Sequence, residues 1–235
     1  MISFIVPAYN EEAVLGATLD TLFSSARALN EPFEVLVVND ASADHTADIA
    51  RARGARVVDV QCRQIAAVRN AGAREAKGDL FVFLDADTLL PEATLRDALR
   101  AVREGGAVGG GGHVRFDART PWRARVLAAA FTFVWFGLRW AAGCFIFVRR
   151  EAFEAVGGFD ERYYISEELH LSRALKRHGR FVILKSSVIT SGRKLRMVSL
   201  GAHLRLVARL LLQGPKSIRR REGLGLWYDG RRESP

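Results

Sequence analysis

Cysteine is scarce: Cys62 and Cys144 are the only two, and neither sits in a CxxC or a Cys/His spacing. That excludes a disulfide framework and the common structural zinc sites, and it points to a reducing compartment. A charged leader is also missing, because Met1 runs straight into the apolar stretch Ile2 to Val6. Secretion through a cleaved signal is therefore not expected, and a cytoplasmic location is. An uninterrupted apolar run of the ~20 residues needed for a membrane span is absent too. The most apolar stretch, Val126 to Val148, is divided by Arg139 and punctuated by Gly137 and Gly143. It is expected to be a buried or interfacial helix followed by a core strand, Cys144 to Val148.

Acid is what the end of the chain lacks. Nine bases and no carboxylate occur from Arg193 to Arg221, so the net charge of +9 belongs to the tail and residues 1 to 192 are nearly balanced. The basic stretch has no nucleic-acid reading motif and no aromatic stacking platform, so nucleic acid is not an expected partner.

The composition that is present, 49% apolar and 26% charged over 235 residues, is that of one globular domain with a modest extension. The division expected is a catalytic domain over residues 1 to 192 and a basic amphipathic extension over 193 to 235. In the first half, short apolar runs alternate with amphipathic stretches, the pattern of parallel strands joined by helical crossovers. Ile2 to Val6, Glu34 to Val38, Val57 to Val60 and Asp79 to Leu84 read as strands. Glu11 to Ala28, Ala43 to Arg53, Ile65 to Ala76 and Glu92 to Arg103 read as helices, the last opened by Pro91. Gly105, Gly106 and Gly109 to Gly112 read as a mobile loop leading to a strand, His113 to Phe116.

Three strand ends carry the chemistry. Asp85-Ala86-Asp87 follows an apolar strand at its carboxyl end, where open α/β sheets bind ligands. On strand geometry the two carboxylates project from one side and can share a magnesium or manganese ion with a diphosphate; the plainer alternative is a solvated turn. Pro7-Ala8-Tyr9-Asn10-Glu11-Glu12 ends the first strand and Asn39-Asp40 the second. Tyr9 can lie against a base or simply pack, and Asp40 can accept from a nucleobase N–H or serve its turn. Arg69-Asn70-Ala71-Gly72 adds a cation suited to phosphate oxygens, or a helical arginine facing solvent. His113 and His203 are weak candidates for a metal shell.

In this order the segments resemble the family 2 glycosyltransferases with the GT-A fold. The likeness continues through Val156-Gly157-Gly158-Phe159-Asp160-Glu161, Ser166-Glu167-Glu168-Leu169-His170-Leu171, Arg173 and Gly179. It implies an α/β domain with a mostly parallel central sheet flanked by helices, a nucleoside-diphosphate sugar donor of the uridine type, and inverting transfer of a sugar. It further implies that Pro7, Ala8, Tyr9, Glu11, Asp40, Arg69 and Asp85 line the donor nucleotide. Asp87, with Asp85, would hold Mn2+ or Mg2+. Glu168 stands where the resembling enzymes carry the acceptor-activating base, usually an aspartate; His170 replaces the next usual acid, and Glu167 is the rival base. The processive synthases of the superfamily resemble one another in Gln-x-x-Arg-Trp and multiple spans, which are missing here, so one sugar per transfer is expected. The alternatives are a nucleotidyltransferase, whose glycine-rich phosphate loop is missing after the first strand, and an inactive membrane-surface adaptor of the same fold.

The extension is amphipathic over Leu195 to Leu212, with Met197, Leu200, Leu204, Val207 and Leu211 on one helical face. Two readings remain open. The helix docks on the catalytic domain, or it rests on anionic lipid at the inner face of the membrane and brings the site to a lipid-linked acceptor.

Overall fold

A computed structural model describes residues 1–118, 120 and 140–193. Eight strands form one sheet: β1 (Ile2–Ala8), β2 (Phe33–Asp40), β3 (Arg56–Val60), β4 (Leu80–Leu84), β5 (Thr88–Leu89), β6 (Gly109–Phe116), β7 (Phe145–Arg149) and β8 (Phe181–Thr190). The spatial order is β3-β2-β1-β4-β7-β6-β8-β5. β3, β2, β1 and β4 run parallel, β7 is antiparallel to both β4 and β6, β8 is parallel to β6, and β5 is antiparallel to β8. The helices among the described residues are α1 (Glu12–Arg27), α2 (Thr46–Ala52), α3 (Ile65–Glu75), α4 (Glu92–Arg103), α5 (Arg150–Ala155) and α6 (Glu167–His178).

The continuous apolar strands are explained by cover on both faces. Phe4, Val6, Val35, Val37, Val82, Leu84, Phe145 and Phe147 pack with Leu15, Leu19 and Leu22 of α1 and Leu95 and Leu99 of α4. The alternating neighbours Ile5, Leu36, Val38, Phe81, Phe83, Ile146 and Val148 pack with Val68 of α3, Phe153 of α5, Phe159 and Leu171 and Leu175 of α6. Period-two side-chain direction divides each strand between the two cores.

The strand order reverses at β1, whose neighbours are β2 on one side and β4 on the other. Parallel strands flanking such a point send their following loops apart and leave a crevice at their carboxyl ends. The β1–α1 loop and the turn after β4 border it.

Gly105 and Gly106 lie in the connection from α4 to β6, but the second part of the glycine run is not a loop. Gly109 to Gly112 are buried and form the first half of β6, between β7 and β8. A Cβ on Gly110 would lie 2.2 Å from Val182 O and 2.6 Å from the Phe147 ring, so close packing excludes side chains here. The second expected helix is shorter than foreseen, starting at Thr46 instead of Ala43. Asp44 Oδ1 accepts from Thr46 N at 3.0 Å, and its other oxygen accepts from Glu12 N, so this segment is spent on joining two loops. The helix expected across Val126 to Val148 lies largely outside the described residues, as does the amphipathic extension from Leu195 onward; only the strand at its end, β7, is described. Among the described residues no helix is long and apolar enough to cross a membrane.

Candidate active site

The β1–α1 and β2–α2 loops are stitched together at the sheet edge. Ala43 N donates to Asn10 Oδ1 at 2.8 Å, Asn10 N to Ser42 Oγ at 3.0 Å, and Glu11 N to Thr46 Oγ1 at 2.7 Å. Asn10 and Ala41 hold φ of 51° and 55°, a left-handed conformation that costs a non-glycine residue about 1 kcal/mol or more. This fixed edge presents Tyr9 beside Asp40. Asp40 Oδ1 accepts from Cys62 N at 2.7 Å and Arg63 N at 3.0 Å, which draws the loop after β3 to the same place. The Arg63 guanidinium then stacks 4.1 Å from the centre of the Tyr9 ring. Pro7 and Ala8 are the buried last residues of β1 beneath this edge.

Asp85 and Asp87 do not continue the strand. β4 ends at Leu84, and Thr88 N donates to Asp85 O at 3.1 Å, closing a turn. The strand-geometry argument for one shared side therefore fails, and the two carboxylates meet different cations. Asp85 Oδ1 pairs with Arg69 Nη2 at 2.9 Å. Asp87 Oδ2 lies 3.3 Å from Arg193 Nη2, which is also 2.5 Å from Glu11 Oε2. The turn itself is pinned: Thr18 Oγ1 of α1 donates to Ala86 O at 2.8 Å, and Ser191 N donates to Asp87 O at 3.1 Å.

Arg193 carries no site signal in the sequence, where it is only the first of nine bases. Its side chain is buried and bridges Glu11 to Asp87 in the crevice between β1 and β4. No local signal marks it, since the contact joins residues far apart in the chain.

α3 organises the other side. Asn70 Nδ2 donates to Phe159 O at 2.8 Å while Phe159 N donates back to Asn70 Oδ1 at 2.9 Å. Gly158, at φ +73°, leaves room for this, because a Cβ there would stand 2.9 Å from Asn70 Oδ1. Gln64 Nε2 donates to the carbonyls of Glu161 and Tyr163. The segment entering α6 is thus held from α3, and Ser166 turns it with φ 66°.

Arg69 is 2% exposed. Its Nη1 donates to Glu167 Oε1 at 2.6 Å, and its Nη2 to Asp85 Oδ1 and to Gly143 O at 2.8 Å. Glu167, the first residue of α6, is itself buried, and burial raises its carboxyl pKa against the lowering effect of Arg69. Glu168 is half-buried. Desolvation first, then the neighbouring Glu167 charge, pushes its carboxyl up to about 8. Gly143 lies close by: a Cβ on it would be 3.3 Å from Arg69 Nη2 and 3.7 Å from Glu168 Cδ. One side of the crevice thus carries Glu11, Asp87 and Arg193, and the other carries Asp85, Arg69, Glu167 and Glu168. His113 lies exposed on β6, and His203 is outside the described residues.

The residues fit a hard divalent cation. Two carboxylate oxygens, on side chains about one-tenth exposed, already converge on one positive group, the Arg193 guanidinium. Among the described residues no group of three or more His, Cys, Asp or Glu side chains could hold a metal ion, so protein carboxylates would supply only part of a shell.

The sequence pattern of glycosyl transferase family 2 matches residues 3–157, about two thirds of the chain. The chain belongs to glycosyl transferase family 2. It is 31% identical over 129 residues to an undecaprenyl-phosphate 4-deoxy-4-formamido-L-arabinose transferase of Serratia proteamaculans, covering 52% of this chain and 39% of that one. It is 37% identical over 108 residues to a validoxylamine A glucosyltransferase of Streptomyces hygroscopicus, covering 43% of this chain and 25% of that one. The chain thus spans well under half the length of these curated relatives. Among solved structures, the Pyrobaculum calidifontis mannosyltransferase PcManGT in complex with GDP-Man and Mn2+ superposes with a TM-score of 0.66 at 21% identity, covering 97% of this chain and 67% of that one. Staphylococcus aureus TarS 1-349 in complex with UDP-GlcNAc gives 0.63 at 21% identity, covering 81% and 58%. At this identity the likeness is one of fold, and the fold of this family 2 chain is of the GT-A type.

Proposed function

We propose that the protein transfers one sugar, with inversion, from a nucleoside-diphosphate sugar of the uridine type to an acceptor, assisted by Mn2+ or Mg2+. The observation that carries this is the pairing across one crevice of a carboxylate edge suited to a cation, Glu11 and Asp87 on Arg193, with a half-buried carboxyl, Glu168, in the first turn of α6. Tyr9 and Asp40 bind the nucleoside, Tyr9 by stacking and Asp40 through an N–H of the base. Asp87, with Asp85, holds the metal, and substrate oxygens complete its shell. When bound, the ion neutralises the departing diphosphate, so no second acid is required. Glu168 takes the acceptor proton as the oxygen attacks; a carboxyl near 8 matches the operating pH closely enough to accept and release it.

A lipid-linked acceptor is favoured by relatives named for undecaprenyl phosphate. The basic stretch after Arg193 suits an anionic membrane face, each base near a surface contributing ~1 kcal/mol. Vesicle sedimentation at low and high salt checks this: salt-insensitive binding, or none, removes the membrane role.

Calorimetry with uridine diphosphate tests the donor site. Affinity should rise when Mn2+ is added to the native protein and stay flat for Asp87→Ala. Equal metal dependence in both sinks the role of Asp87. Incubation with nucleotide sugars should release nucleoside diphosphate; release of pyrophosphate would indicate nucleotidyl transfer instead.

A further inference from the structure

Arg69 is the cation that a donor diphosphate would be expected to use, yet the structure commits it elsewhere. Its acceptors come from three separate segments: Asp85 from the turn after β4, Gly143 from the segment before β7, and Glu167 from the first turn of α6. A guanidinium presents its donors in one rigid plane, so three acceptors satisfied at once fix three segments against one another. Nε has no acceptor among the described residues, and the group lies 5.2 Å from the centre of the Phe159 ring, in the turn that Asn70 also clamps. To reach a phosphate, Arg69 would have to give up buried charge pairs, and breaking such a pair leaves an uncompensated charge.

Glu167 is equally committed. At 4% exposure, with Oε1 on Arg69, it cannot meet an acceptor without leaving the same pair. Its neighbour Glu168 is on the same first turn and its carboxyl lies beside Gly143, next to the guanidinium. The fold has thus separated two adjacent glutamates into one that is tied down and one that is half-buried with its carboxyl beside Gly143.

Resting on the transferase reading above, we propose that the buried Arg69–Glu167 pair is a positioning device: it sets the start of α6, and with it the Glu168 carboxyl, at a fixed distance from the Asp85 turn. Arg69 acts through Asp85 and Glu167 and does not touch the donor. Neither member is a catalytic residue, but both should govern turnover, because a misplacement of ~1 Å at a reacting group can cost ~10²-fold.

The test is carried out on the full chain with Mn2+ and whichever nucleotide sugar it turns over, reading released nucleoside diphosphate, with uridine diphosphate affinity measured in parallel. Glu167→Gln keeps the size and one acceptor oxygen for Arg69. Arg69→Lys keeps the charge but loses the planar fork. Both should lower kcat by roughly tenfold while donor KM and uridine diphosphate affinity stay within about twofold, the pattern of an interaction felt in the transition state. The double variant should lose little more than either single one, as a shared device requires. A loss of nucleotide affinity in Arg69→Lys matching its loss of turnover would overturn the proposal in favour of a donor contact. Unchanged kcat in Glu167→Gln would overturn it, and so would failure of both variants to fold, which would make the pair a stability element. Absence of binding and turnover in the native protein would overturn the transferase reading itself, a result distinct from any of these.

Discussion

At the scale of single residues, the crevice is a problem of charge placement. Glu11, Asp85, Asp87, Glu167 and Glu168 share it with the buried cations Arg69 and Arg193, so carboxylates outnumber guanidiniums. Arg69 is enclosed by structure on all sides. Arg193 instead bridges Glu11 and Asp87, the latter proposed above as a metal ligand. A cation entering there competes with it. Arg193→Gln should therefore tighten Mn2+ binding in the absence of nucleotide, by roughly tenfold, because the variant removes a competing positive charge beside Glu11 and Asp87. Titration of the variant and native protein with Mn2+ checks this, and weaker binding in the variant would assign Arg193 to the metal-bound state instead. Tyr9, Asp40, Asp85, Asp87 and Glu168 were legible as candidates because each sits at the end of an apolar strand or the start of a helix. Arg193 was not, since its partners are distant in sequence and nothing in its neighbours distinguishes it from eight other bases.

At the scale of elements, the sequence reads well where burial follows a simple period. β1, β2 and β4 are apolar on both faces and α4 begins one residue after Pro91, so composition and period suffice. It reads badly where geometry depends on neighbours. Four glycines in a row carry no apolar signal, yet Gly109 to Gly111 pair with β7 and Gly109 to Gly112 with β8, and the Phe145 and Phe147 rings and the Val182 carbonyl occupy the space a side chain would need. The Asp85 turn reads as a strand continuation for the opposite reason: nothing local announces that Leu84 is the last ladder residue. Gly110→Ala should accordingly destabilise the fold by ~1–3 kcal/mol through overpacking, lowering Tm by several degrees at ~2–4 °C per kcal/mol for a domain of this size. Differential scanning calorimetry measures it, and an unchanged Tm would mean that β6 is looser than its contacts indicate.

At the scale of the whole molecule, one sheet with two apolar faces places its chemistry at a single edge. The parallel block β3-β2-β1-β4 delivers Asp40, Tyr9 and Asp85 to the reversal of strand order, and the antiparallel part carries α5, the Gly158 turn and α6 round to the facing side. α3 joins the two through Gln64, Arg69 and Asn70. That joining is not legible in the sequence: Arg69 and Asn70 stand in a motif and Gln64 outside it, and what they hold appears only once the segments are in place. In the proposed reaction Glu168 is the point at which donor edge and acceptor side meet. Glu168→Gln keeps its size and hydrogen bonding but removes its basicity. Steady-state turnover of the nucleotide sugar, measured against pH beside uridine diphosphate affinity, is the measurement to make. For the native protein kcat/KM should climb as pH rises and level off above about 8, because the raised carboxyl is protonated and idle below that value. Glu168→Gln should lose ~10²-fold in turnover and the pH-dependent limb together, with affinity unchanged. Retention of most of the native turnover by Glu168→Gln, or a parallel collapse of nucleotide binding, would contradict the assignment of this carboxyl as the base.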